Sequence, residues 1–154
     1  MLERLTSLFS AGRHTAVADD DRVRVACAAL LAEAALLDGR FDPAEATRIE
    51  ALLAGRFGLG ADEAATLAAV GRRQAEDATQ LLGFTRVLKD ALAPDERVRV
   101  IEMLWEVAYA DGVLHDYEAN LVRRVSGLLF VPDHDAGEAR KRAMARLGMT
   151  QGLD

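Results

Sequence analysis

Glu33-Ala34-Ala35-Leu36-Leu37-Asp38-Gly39-Arg40-Phe41-Asp42-Pro43-Ala44-Glu45 returns later in the chain as Glu106-Val107-Ala108-Tyr109-Ala110-Asp111-Gly112-Val113-Leu114-His115-Asp116-Tyr117-Glu118. In both copies a helix-favouring run ends at Asp-Gly, an apolar residue (Phe41, Leu114) stands two places on, and a glutamate closes the unit. Each copy reads as helix, tight turn, helix. Gly39 and Gly112 supply the left-handed residue that ends the first helix. Asp42 is a good N-cap, Pro43 suits the first helical position, and Glu45 completes a capping box. The apolar face then continues in register, Ile49 matching Val122 and Leu52 matching Val125.

Outward from these units the helical period runs nearly end to end. A short helix is predicted over Leu2 to Ser10, followed by a polar linker. Asp19-Asp20-Asp21 caps the next helix, which runs from about Arg22 to Leu37. After Asp42-Pro43 comes a helix with Ile49, Leu52, Leu53 and Phe57 inward, broken by Gly58 and Gly60. A fourth presents Leu67, Ala68 and Gly71, and a fifth Leu81, Phe84, Leu88 and Leu92. Pro94 opens a sixth, with Val98, Ile101, Leu104, Trp105 and Ala108 inward. A seventh starts at about Asp116 and carries Leu121, Val122, Val125, Leu128 and Leu129. Pro132-Asp133 opens a last, basic helix over about 134–147, with Arg140, Lys141, Arg142 and Arg146 read as a solvated face or a dimer contact. Nothing alternates at period two, so the expectation is an all-α bundle of about seven or eight short helices. It forms one domain over 1–154, its core at about 22–130.

Composition bounds the function. Hydrophobic residues at 51% and charged residues at 29% allow both a core and a soluble surface. A net charge of −6 argues against nucleic acid, whose binding rests on neutralised phosphates. No run of roughly 18 residues lacks charge, so no transmembrane segment is expected. The start of the chain lacks the long apolar core of a signal peptide. Its face of Leu2, Leu5 and Phe9 reads as a docking helix, with peripheral membrane contact the weaker reading. Cys27, the single cysteine, reads as a buried small hydrophobe, in keeping with the cytoplasm. There is no phosphate-binding loop, metalloprotease pair or nucleophile elbow, so no enzyme is expected.

The acidic turns carry the chemistry. In an EF-hand loop the sixth residue is Gly, the eighth apolar and the twelfth a bidentate Glu. Counted from Gly39 or Gly112, Phe41 or Leu114 and Glu45 or Glu118 fall on those places, with Asp38 or Asp111 on the fifth and Asp42 or His115 on the ninth. The first and third places are Ala34 and Leu36, or Val107 and Tyr109, which cannot ligate. Each turn therefore offers half a shell, roughly two or three oxygens of the six to eight that Ca²⁺ takes. Asp38, Glu45, Asp111 and Glu118 would together suit one divalent cation, Ca²⁺ or Mg²⁺/Mn²⁺. Asp42, His115, Glu33 and Glu106 are weaker candidates, and the last two project about 140° from the Asp on an ideal helix. The alternative reading makes Glu45 and Glu118 simple capping residues. Asp38 and Asp111 fit it less well, because a negative charge at a helix C-terminus opposes the dipole. Such a charge calls for a cation, a neighbour such as Arg40, or backbone N–H groups.

The repeated Asp-Gly…Glu units resemble the TerB-like family, over roughly Val25 to Leu129. That family takes in tellurite-resistance proteins and the N-terminal domain of a membrane-anchored DnaJ-type co-chaperone. The resemblance implies a bundle of about seven helices with an internal pseudo-repeat. It also implies an ion site at Asp38, Glu45, Asp111 and Glu118, and a non-enzymatic ion-binding or scaffolding role in bacterial stress physiology. A protein partner is expected, with a homodimer left open. The alternative function is a protein-interaction module whose acids serve only as caps and salt bridges.

Overall fold

The computed structural model describes residues 13–37, 42–76, 81–110, 112 and 115–149. Every regular element among them is an α-helix: α1 (Arg13–Leu36), α2 (Pro43–Phe57), α3 (Ala61–Glu76), α4 (Leu81–Ala91), α5 (Pro94–Ala108), α6 (Asp116–Leu128) and α7 (Asp133–Arg146). The expected all-α class and the order of these seven helices hold. The predicted Leu2–Ser10 helix lies outside the described residues.

α1 is the axis of the bundle. Ala26 through Ala32, Ala34 and Ala35 are all buried, so it is apolar on every side over this stretch. A helix of that kind must be enclosed, and α2, α3, α4, α5 and α6 all pack against it. Its small residues set the distance. Gly71 on α3 lies so close to Ala28 that a Cβ there would stand 2.5 Å from the Ala28 methyl. α5 is the second axis, with Val100, Ile101, Met103, Leu104, Trp105, Val107 and Ala108 buried. It packs on α1, α2, α6 and α7. The two helices that lead into the repeated turns, α1 and α5, thus pack on each other. Fully burying a side chain such as Leu30 or Leu104 is worth roughly 1.5–3 kcal/mol, and these two helices hold a large share of such positions.

Two boundaries differ from the reading of the sequence. α1 starts at Arg13, not near Arg22, so Asp20 and Asp21 lie about two turns inside it rather than at its cap. They still lie in its N-terminal half, toward the positive end of the dipole. The core also runs past residue 130, because Ala139, Ala143 and Met144 of α7 join the same cluster.

Chain breaks follow the local chemistry. Gly58 closes α2 at φ +65, its N–H bonded to the Ala54 carbonyl. Gly112 takes φ +85, the left-handed geometry expected of it. At the end of α6 the left-handed place falls instead to Phe130, φ +56, and Val131 N–H reaches back to the Ser126 carbonyl at 2.9 Å.

Candidate functional site

The second half of each repeat is built as the sequence implies. Asp42 adopts extended backbone at φ −63, ψ 137 and accepts from Ala44 N–H at 2.9 Å through Oδ1. Glu45 Oε1 accepts the Asp42 N–H at 3.2 Å. In the other copy His115 is the N-cap, and Glu118 Oε1 accepts its N–H, also at 3.2 Å. The His115 ring stacks on Tyr117, with centroids 5.2 Å apart. Asp38, Gly39, Phe41, Asp111 and Leu114, which complete the turns, lie outside the described residues.

Burial separates these two glutamates from ordinary caps. Among the described residues the same reciprocal bond is made by Glu63 to Gly60 N–H and by Glu96 to Ala93 N–H. Glu63 is exposed, and the Glu96 side chain keeps 43% of its surface. Glu45 and Glu118 keep only 4% and 5%. Placing a carboxylate in the interior is costly unless its charge is matched. A carboxylate also has about four acceptor positions, so the capping bond does not by itself preclude a cation. Among the described residues, no three His, Cys, Asp or Glu side chains converge as a metal shell does.

Of the weaker candidates on the helices, Glu106 is engaged elsewhere. Glu106 is 1% exposed and points to α7 and α2: Arg146 Nη1 donates to its Oε2 at 2.5 Å, and Arg48 Nη1 lies 3.7 Å from its Oε1. Glu33 is half-buried on α1, and that burial pushes its carboxyl above the ordinary value. Cys27 is fully enclosed, its thiol pushed up to about 12 by burial, which suits a hydrophobe and not a nucleophile.

A charged cluster between α5 and α7 was not foreseen. Glu102, also 1% exposed, accepts from Arg142 Nε at 2.8 Å through Oε1. Its Oε2 lies against Arg146 without a well-aligned hydrogen bond. Arg146 thus joins both buried glutamates, and the bond to Glu106 is first among the causes that raise its pKa. Arg140 lies over the Trp105 ring at 5.2 Å and donates to Tyr109 Oη at 2.8 Å. These arginines hold α7 to the bundle, a role that its reading as a solvated face or dimer contact did not include, while Arg142 and Arg146 keep 47% and 53% of their side-chain surface. The spacing carries the i, i+4 rungs within each helix, though not which helix faces which. Glu102 and Glu106 stand four apart on the inward face of α5, and Arg142 and Arg146 stand four apart on α7, so two helical turns can pair rung by rung.

No match was found among curated proteins, and none among solved structures. A family model described as tellurite resistance protein TerB does match, over residues 24–141, which takes in both turns and reaches into α7. That match covers most of the chain, and the all-helical bundle agrees with it: the chain belongs to the TerB family.

Proposed function

We propose that this TerB-family chain is a non-catalytic bacterial protein, tied to stress or tellurite resistance in the cytoplasm. In this reading it holds a divalent cation, Ca²⁺ or Mg²⁺/Mn²⁺, between its acidic turns through Asp38, Glu45, Asp111 and Glu118. The observation that carries the reading is the contrast among the capping glutamates. The pair at the Asp-Gly turns is buried, whereas Glu63 and Glu96 are open to solvent. Buried carboxylates at matched places are what a cation between the turns would require. The packing of α1 on α5 supports it further, since these helices lead into the two turns. The bound cation would tie the two halves together and form part of a scaffold for a protein partner.

The second reading, an interaction module with structural acids, draws on the capping bonds themselves. Each gives Glu45 or Glu118 a local duty that needs no ion.

Thermal unfolding of chelator-stripped protein against Ca²⁺, Mg²⁺, Mn²⁺ and Zn²⁺ decides between them. A cation bound only by the folded state stabilises it by about 2.7 kcal/mol at a hundredfold excess over Kd. The expected result is a raised midpoint with one cation, abolished in an Asp38→Asn/Asp111→Asn double variant. No shift with any of the four at millimolar levels sinks the cation reading and leaves the interaction module.

A further inference from the structure

Along α5, between α7 on one side and α2 on the other, two adjoining cavities of about 780 and about 330 Å³ share Arg99, Glu102 and Arg146 as walls. Together they form one trough with unlike ends. The larger end has an apolar wall of Val98, Phe130 and Val131, and its charges balance: Arg99, Arg142 and Arg146 against Asp95, Asp135 and Glu102. The smaller end is lined by Arg48, Arg56, Arg99 and Arg146 against Glu102 and Glu106. Glu96 also meets Arg56 there at 3.3 Å, so four arginines face three glutamates and positive charge stays in excess by one, on a molecule whose net charge is −6. Arg99 is exposed, and no described residue pairs with it.

Phe130 gives an independent indication. It occupies the left-handed position after α6, at φ +56, where glycine is the unstrained choice. Its ring gains little from the fold, being 72% exposed with Lys89 Nζ over it at 5.0 Å. A bulky residue held in a disfavoured conformation without burial is the kind of local strain that gathers at binding sites.

We propose that this trough is a docking site for an acidic peptide segment of a protein partner. An aromatic or aliphatic side chain of the segment packs on Phe130 and Val98. Its carboxylates lie along Arg99 toward Arg48 and Arg56. Arginine suits this task because its planar fork meets carboxylates in pairs. The two buried glutamates hold Arg142 and Arg146 in place beforehand, which lowers the ordering cost of binding. None of the acidic turn residues takes part, so the site stands or falls apart from the cation.

The test uses the full chain after chelator treatment. The probes are two arrays of short peptides, one with a single phenylalanine or leucine beside a run of glutamate and aspartate, the other with lysine at each acidic position. The acidic array is expected to bind in a salt-sensitive way, and the lysine array not to bind. Phe130→Gly and Arg99→Glu should each weaken that binding by about thirtyfold, the scale of an interface hot spot. Phe130→Gly should not lower the thermal midpoint, because it relieves the backbone, so lost binding cannot be blamed on lost fold. Equal retention on both arrays, or acidic binding untouched by either variant, overturns the proposal. So does binding to phosphatidylserine vesicles through the same residues without preference for the acidic peptides, which would make the trough a membrane contact.

Discussion

Gly71 shows how one residue fixes the spacing of two helices. In an exposed helix, replacing glycine with alanine is favourable by about 0.8–1 kcal/mol, because glycine has more freedom to lose. Here the sign reverses. The new methyl would stand 2.5 Å from the Ala28 Cβ, 2.6 Å from its carbonyl carbon and 2.8 Å from Ala29 N. Two of those three atoms are backbone, so no side-chain rotation can clear the space, and α1 or α3 must move. Such overpacking costs about 1–3 kcal/mol. Gly71→Ala is therefore expected to lower the urea midpoint with the m-value unchanged. Gly55 is its control, since a Cβ there meets nothing within 4 Å and the same substitution should be neutral or stabilising. If both variants gained stability, the close approach of α1 to α3 would be wrong.

At the scale of elements, α7 is held by charge as much as by burial. Ala139, Ala143 and Met144 enter the core. Beside them Arg142 and Arg146 pair with Glu102 and Glu106, the latter two each 1% exposed. Breaking a fully buried pair from one side costs about 3–5 kcal/mol, because the remaining charge is stranded. Arg146 keeps 53% of its side-chain surface, and water can reach part of the cluster, so a smaller loss is expected. Arg146→Met should cost about 2 kcal/mol by chemical denaturation, and adding Glu106→Gln should recover part of it, since the stranded charge is then gone. Strictly additive losses would mean that the two residues do not act as a pair. This cluster also marks where the sequence stopped being legible. Helix order, Asp42 and Glu45 as a cap, Gly58 as a helix break and Gly112 as a left-handed residue could be read because each depends on residues within a few places along the chain. That Glu106 answers to Arg146, 40 residues on, depends on how α7 lies across α5. No local pattern states that. The start of α1 was misplaced for the opposite reason: the Asp19–Asp21 run resembles a cap, yet helix-forming residues on its N-terminal side carry the helix back to Arg13. Glu45 and Glu118 were found as capping residues, but their burial emerges only from the packed bundle.

For the whole molecule, the internal repeat invites the idea of two units joined end to end, but the packing argues against it. α1 belongs to the first copy, yet it packs on α4, α5 and α6 as well as on α2 and α3. α5 belongs to the second copy, yet it packs on α1 and α2. Leu30 and Leu31 of α1 and Ile101 and Leu104 of α5, all fully buried, share one core cluster. Cutting the chain between α3 and α4 would expose α1 along the side that α4, α5 and α6 cover, and would open α5 along the side facing α1 and α2. Chains of under about 80 residues bury too small a share of their surface to tolerate such a loss. Residues 1–78 and 79–154, made as separate fragments, are therefore expected to melt without a cooperative transition, while the intact chain unfolds in one step. Mixing the two fragments should restore helicity by circular dichroism together with a cooperative melt, because the missing surface of each is the other. A fragment that melts cooperatively by itself would show that the repeat marks two independent folding units, and that the α1–α5 contact is a docking surface between them rather than their common core.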